Sequence, residues 1–284
     1  GEYEGYGKVR FADGGVYEGL WKANNLHGHG TYRYASGDVY EGGYAEGEKD
    51  GRGLYTYANG NAYDGEFRAD KMEGEGVFTF SNGNVYRGNF KADTMEGHGE
   101  LTFANGNVYS GNFRAGKRAG RGLFRFKSGN VYDGEYSAGK MEGKGTYTFA
   151  NGNVYDGDYK ADKMEGKGTM RFKNGDVFEG DYRDNKMEGW GVTRFANGDE
   201  HEGEWKAGKK EGRGIHRFAD GRAAVGRFEA GKFVGEGACW SPDRTIATRM
   251  QDGATVGEKL SLEEAARVAS ELELAVPPPV QPKS

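Results

Sequence analysis

Apolar and polar positions alternate in short runs along this chain, and the runs return every 23 residues. Val131 to Asn153, VYDGEYSAGKMEGKGTYTFANGN, comes back from Val154 as VYDGDYKADKMEGKGTMRFKNGD and from Val177 as VFEGDYRDNKMEGWGVTRFANGD. Nine full units begin at residues 16, 39, 62, 85, 108, 131, 154, 177 and 200, and a tenth from Ala223 decays after Trp240. Gly1 to Gly15 reads as the back half of an earlier unit. A fixed period of this kind outranks every other signal, because it decides the fold class. With the unit numbered 1 to 23, positions 6 and 19 are aromatic in every full copy, and position 2 is aromatic until His201. Alternate aromatics predict half-buried strands rather than a helix. Two short strands per unit are expected, over positions 1–7 and 14–20. No proline before Pro242 removes a ladder donor.

Two loops join these strands. Positions 20–23 read Ala-Asn-Gly-Asn or a close variant, a turn whose Gly takes a positive φ. Position 9 holds only Gly, Asn or Asp (Asn24, Gly47, Asp70, Asp93, Gly116, Gly139, Asp162, Asn185, Gly208), the residues that best tolerate the left-handed region. A plain two-residue turn would put the aromatics of positions 19 and 2 on opposite faces. A type I turn with a glycine bulge shifts the register by one residue and gathers positions 2, 6, 17 and 19 on one face, so the bulged turn is expected. Hairpins of this size stack on their neighbours, which makes the fold class all-β, an elongated solenoid of stacked antiparallel hairpins. At about 4.8 Å per strand, ten repeats would extend roughly 100 Å.

The unit resembles the MORN repeat (membrane occupation and recognition nexus), Tyr-x-Gly-x-Trp-x-x-Gly-x-x-x-Gly-x-Gly with a later closing Gly. Tyr132, Gly134, Tyr136, Gly139, Gly143, Gly145 and Gly152 carry the match in the sixth unit, and Phe149 holds its position 19. Tyr or Phe often replaces the Trp, and Asp or Asn often replaces the mid-loop Gly. The resemblance covers about residues 4 to 240. It implies either a non-enzymatic scaffold that docks proteins, as in ciliary radial-spoke heads and membrane-junction tethers, or a module that binds anionic phospholipids such as phosphoinositides. MORN arrays also precede lipid-kinase or methyltransferase domains, and fewer than 45 residues follow the array here.

Composition narrows these readings. Hydrophobic residues make up 35% of the chain and mean hydropathy is −0.87, values that could suggest disorder; 13% aromatics and the strict period oppose it. A net charge of −5 gives no general affinity for nucleic acid and does not favour anionic lipid. Cys239 stands alone, so no disulfide framework is expected, and the default setting is intracellular, cytoplasmic or cytoskeletal. No apolar run is long enough to span a membrane, which leaves peripheral association as the membrane reading.

After the array (residues 1–244) comes a second region, 245–284. Thr245 to Gln251, Asp252-Gly253 and Ala254 to Glu258 predict a last hairpin with a type I′ turn. Ser261-Leu262-Glu263-Glu264 is a capping box, opening a helix expected over about 262–273. Two roles are open for that helix: a lid over the edge of the last sheet, which is preferred, or a contact for a partner such as a second copy in a homodimer. Pro277, Pro278, Pro279 and Pro282 predict an extended, mobile tail.

Candidate chemistry is sparse. Gly111 to Lys117 and Gly203 to Lys209 imitate a phosphate-binding loop, but Arg118 and Lys210 stand where Ser or Thr should hold magnesium. His27 and His29 lack the further ligands of a metal site. Acidic positions 3 and 12 recur in nearly every unit, whereas catalytic carboxylates belong once in one cleft. The reading is therefore no enzyme and no cofactor. Methionines at position 11 (Met72, Met95, Met141, Met164, Met187) either form a partner-binding ridge or pack over the neighbouring loop. One unit breaks the charge pattern. Val108 to Asn130 carries Arg114, Lys117, Arg118, Arg121, Arg125 and Lys127 and no acid. Asp133 and Glu135 are expected to pair with Arg121 and Arg125. Arg114, Lys117 and Arg118 remain as the candidate dock for an acidic protein segment or an anionic headgroup.

Overall fold

A computed structural model describes residues 2–279 of the 284, so the expectation for Pro282 lies outside the described residues. They form twenty-three strands and one short helix, an all-β fold in which neighbouring strands pair antiparallel. The chain divides into two compact units, residues 1–140 and 141–284. Within each, consecutive strands in the chain are neighbours in the sheet.

The first strand of every repeat covers positions 1–7, as in Val16–Lys22 and Val154–Lys160. The second covers positions 10–18, as in Asn25–Arg33 and Lys163–Arg171, not the expected 14–20. Turn geometry explains the difference. Positions 8 and 9 both have positive φ (Ala23 46° and Asn24 67°, Ala161 50° and Asp162 70°), which makes a two-residue type I′ turn and lets the second strand start at once. Position 9 behaves as expected throughout. Position 8 is mostly Ala, whose Cβ disfavours this region, so its residue type gives no warning.

The other turn has the bulged form. Tyr34 N–H donates to Asp38 O at 2.9 Å and Gly37 N–H to Tyr34 O at 3.0 Å. Register then pairs Arg33 with Val39 and Tyr32 with Tyr40, which puts positions 17 and 2 side by side. In the sixth repeat Gly152 has φ 92° in the same turn. Gly152→Val should therefore cost about 1–3 kcal/mol through backbone strain. Chemical denaturation checks this, and unchanged stability would contradict the turn geometry.

The aromatics of positions 2 and 6 form the core of both units. Tyr17, Tyr40, Tyr63, Tyr86, Tyr109, Tyr132 and Tyr155 are all fully buried. Each ring lies over the glycines of positions 4 and 15, which face each other across the hairpin, as Gly19 faces Gly30 and Gly157 faces Gly168. The Tyr hydroxyl donates to the carbonyl of position 5, from Tyr17 to Leu20 O at 2.9 Å and from Tyr155 to Asp158 O at 3.1 Å. Edge-to-face contacts link repeats: Tyr40 meets Tyr44 of its own repeat at 5.2 Å and Phe67 of the next at 5.0 Å.

At the C-terminal end, Ala247–Gln251 and Ala254–Leu260 form a hairpin around Asp252 (φ 48°) and Gly253 (φ 85°). The helix Leu262–Glu271 begins at Ser261, whose hydroxyl accepts from Glu264 N–H while the Glu264 side chain accepts from Ser261 N–H. Its Ala265 and Ala269, followed by Leu272, pack on Ile215, Val225, Ala238, Trp240 and Ala247. Those positions belong to the face opposite the tyrosines. The helix thus covers a sheet face and not the strand edge; Ala254–Leu260 is exposed at every residue except Leu260. The mobile-tail expectation also fails at its start, because Pro277 is fully buried and its carbonyl accepts from Arg244 Nε at 3.1 Å.

Candidate protein-interaction surfaces

Beside the buried tyrosine column, positions 17 and 19 make a second row, largely aromatic, that is partly buried in the first three full repeats and includes the buried Phe124 in the fifth. In the first unit Tyr32, Tyr34, Tyr55, Tyr57, Phe78 and Phe80 follow one another at ring-centroid distances of 4.4, 5.8, 4.4, 5.9 and 4.6 Å. In the second unit Tyr147 and Phe149 continue the type at 4.6 Å. The bulged turn and the strand alternation place both positions on this face.

Position 11 lies on the same face. Met72 and Met164 are buried, and Met95 has its carbonyl bonded to Gly116 N–H of the next repeat at 3.0 Å. None of the five position 11 methionines is exposed, Met95, Met141 and Met187 being partly buried, which opposes a protruding ridge. Where a cation replaces them, it stacks on the aromatics: Lys49 over Tyr34, Tyr40 and Tyr55, and Lys210 over Phe195 and Phe228.

The acidic columns have structural work. Glu73 accepts from Ala92 N–H at 2.9 Å and Glu142 from Ala161 N–H at 3.0 Å, so position 12 caps the position 8 amide of the following repeat. Asp93 and Asp162 of position 9 accept in return from Met72 and Met141 N–H, each at 2.8 Å. On the opposite face, acids of positions 1, 3 and 5 pair with cations across strands: Lys144 with Asp158 and Lys167 with Asp181, each at 2.6 Å, and Arg194 with Glu179 at 2.9 Å and Glu200 at 3.3 Å. These exposed ladders contribute only about 0.2–1 kcal/mol per pair.

The fifth repeat departs from both patterns. Ala119 replaces the linking acid of position 12, and Ser110 and Asn112 stand at ladder positions 3 and 5, where the sixth and seventh repeats carry acids. Its six cations do not gather in one place. Arg118, grouped by sequence with Arg114 and Lys117, occupies position 11: its guanidinium stacks on Tyr109, Phe124 and Tyr136 at 5.7, 5.3 and 5.0 Å and donates to Gly139 O at 2.5 Å. Arg118 is thus committed to the aromatic face. Arg114 and Lys117 face each other across the turn, and both are exposed. Arg121 pairs with Asp133 at 3.2 Å, as expected. Among the described residues no ion pair joins Arg125 to Glu135. Lys127 is exposed at the far turn, its N–H bonded to Asn107 Oδ1 at 2.9 Å.

The sixth-repeat residues take structural places. Tyr132 is buried and its hydroxyl donates to Glu135 O at 3.0 Å; Tyr136 is buried beside it. Gly134 faces Gly122 and Gly145 faces Gly157. Gly139 has φ 87° and Gly143 φ 71°, while Phe149 opens the turn closed by Gly152.

Sequence reasoning passed over a polar cluster in the ninth repeat. His201 replaces the core tyrosine, is fully buried, and neither ring nitrogen has a hydrogen-bond partner among the described residues. Burial, with Lys210 and His216 nearby, pushes its pKa down to about 2. His216 reaches Asp199 at 3.4 Å. Two histidines at positions 2 and 17 of one repeat were the available signal, since those positions are cross-strand partners. Among the described residues no group of three or more His, Cys, Asp or Glu could hold a metal, and no helix is long and apolar enough to cross a membrane.

Stacked hairpins with an aromatic glycine-paired core define an all-β repeat protein. The MORN-repeat model matches eleven consecutive segments, from 1–16 and 17–39 through to 225–246, and the chain belongs to that family. No curated protein matches it. Among solved structures, the TCP10 domain of Danio rerio CPAP in complex with a peptide of Danio rerio STIL is similar at 11% identity and a TM-score of 0.45, over 78% of this chain and 92% of that one. The SAS-4 (dCPAP) TCP domain of Drosophila melanogaster, in complex with a proline-rich motif of Ana2, has 13% identity and a TM-score of 0.36, over 63% and 90% of the two chains. A virginiamycin B lyase from Staphylococcus aureus has 10% identity and a TM-score of 0.13, over 88% and 84%. Such low scores carry no argument about function.

Proposed function

We propose that this protein is a non-enzymatic scaffold whose repeat array, residues 1–244, docks partner proteins on its aromatic face. The observation that carries this reading is the half-exposed row Tyr32, Tyr34, Tyr55, Tyr57, Phe78 and Phe80, whose rings touch from repeat to repeat. A contiguous apolar row rimmed by charge is what a protein-binding surface needs. Tyrosine and phenylalanine also bring large contact area at low conformational cost. The aromatics of positions 2 and 6 bury one another more fully than this row, whose rings keep part of their surface open.

The test is affinity purification from native extract with the wild type and with Tyr34→Ser/Tyr57→Ser/Phe80→Ser. Protein subunits that co-purify with the wild type should be lost from the variant, by about tenfold or more if these rings are central to the contact. Retention of the same subunits, or recovery of phospholipid in place of protein, would overturn the scaffold reading.

A further inference from the structure

On the face opposite the aromatics, the fifth repeat exposes Arg114, Lys117, Arg121 and Arg125. Positions 7 and 10 pair across the type I′ turn, so Arg114 and Lys117 are like charges directly opposite each other, as are Lys160 and Lys163 in the seventh repeat; the fifth differs in what surrounds the pair. That arrangement works against the hairpin. No acid of the same repeat offsets it, although Asp or Glu fills positions 3, 5 and 12 of the sixth and seventh repeats at Asp133, Glu135, Glu142, Asp156, Asp158 and Glu165. Among the described residues only Arg121 of these four has an ion-pair partner, Asp133.

Resting on the scaffold reading above, we infer that this face of the fifth repeat is a docking strip for an extended, Asp/Glu-rich segment of a partner protein. Width and flanks select that occupant. The cations span one hairpin, roughly 10 Å across. On one side the neighbouring strand Thr94–Thr102 presents Glu100 and, at the turn, Glu96, which accepts from Ala115 N–H at 2.9 Å; on the other Val131–Ser137 presents Asp133 and Glu135. A broad anionic bilayer would meet those carboxylates together with the cations, and the chain's net charge of −5 would add repulsion. A single extended segment lies between them. Arg121 and Arg125 are four residues apart on one strand, roughly 13 Å, and a bulge at Gly120 draws Lys117 closer to Arg121, so an extended acidic segment would meet the three in turn. The guanidinium groups favour forked pairing with carboxylates.

The experiment is fluorescence anisotropy with a labelled 12-residue Glu-Ser repeat peptide, in low salt and with salt raised. The full chain is compared with Arg114→Gln/Lys117→Gln/Arg125→Gln, and with Lys160→Gln/Lys163→Gln/Lys167→Gln as a control of equal charge change. Binding should weaken as salt rises. It should fall about tenfold or more in the fifth-repeat variant and less than about twofold in the control. No binding by the wild type, or equal loss in both variants, overturns the inference. So does flotation with vesicles of 30% phosphatidylserine that depends on the same three residues while the peptide does not bind. The aromatic-face variant Tyr34→Ser/Tyr57→Ser/Phe80→Ser should bind the peptide normally, so failure of this strip and failure of the aromatic scaffold surface are read separately.

Discussion

Gly168→Ala should destabilise the seventh repeat by about 3 kcal/mol, although it adds a single methyl to an ordinary strand residue. The added Cβ would lie 2.5 Å from the Tyr155 hydroxyl oxygen and 2.6 Å from its Cζ. That ring is fully buried and held edge-to-face by Tyr159 at 5.5 Å and Tyr182 at 4.9 Å, so it has no room to turn aside. Displacing it would also break the bond from the Tyr155 hydroxyl to Asp158 O. Overpacking costs about 1–3 kcal/mol, and the lost hydrogen bond and ring contacts each add about 1 kcal/mol. Gly139 is the comparison. It has φ 87° and nothing within 4 Å of an added Cβ, so Gly139→Ala should cost only about 1 kcal/mol of backbone strain. Hydrogen exchange resolved by repeat, with chemical denaturation, measures both. Equal effects would show that the tyrosine-over-glycine packing is not what fixes positions 4 and 15.

This core was legible in the sequence because its residue types are restrictive. Only glycine fits under the position 2 ring, and only Gly, Asn and Asp accept the left-handed turn at position 9 readily. The bulged register followed from parity alone, since the aromatics of positions 2, 6, 17 and 19 could share a face in no other simple way. What stayed hidden depends on partners twenty or so residues away. Ala at position 8 gives no sign of its positive φ, which lets the second strand begin four residues earlier than the aromatic pattern suggested. The recurrence of Glu at position 12 argued against catalysis but did not reveal its partner, the Ala amide of the following repeat. Arg118 counted as one more loop cation because nothing local distinguishes a position 11 residue that stacks on three rings. The docking face for the terminal helix had a signal: Val225 stands at position 3, where charged or polar residues fill every full repeat.

His201→Tyr should stabilise the ninth repeat and remove much of its sensitivity to acid. In seven of the nine full repeats this position is a tyrosine whose hydroxyl donates to a carbonyl three residues on, as Tyr155 does to Asp158 O. His201 is fully buried and supplies no such bond. Trp205 and Phe228 pack against its ring, His216 lies across the strand, Thr193 is paired from the other side, and Lys210 brings a positive charge. Burial, with Lys210 and His216 nearby, disfavours the imidazolium and lowers its pKa from 6.5 to about 2. The sign follows from proton uptake. Below about pH 6.5 the unfolded chain protonates this histidine and the folded chain does not, so stability is complete above that pH and is lost as pH falls toward the folded value. At about pH 4.5 the loss from this one group is about 2.7 kcal/mol, two units at about 1.36 kcal/mol each. Tyrosine does not titrate in this range, and its hydroxyl can reach the Glu204 carbonyl as its counterparts do. The expected gain is about 1 kcal/mol at neutral pH and about 3–4 kcal/mol at about pH 4.5. His216, whose pKa burial also lowers, keeps a smaller acid slope in the variant. Urea denaturation at the two pH values, followed by exchange in the ninth repeat, decides the matter. An equal loss of stability on acidification in both proteins would mean that His201 finds a proton acceptor in the fold and is not held neutral.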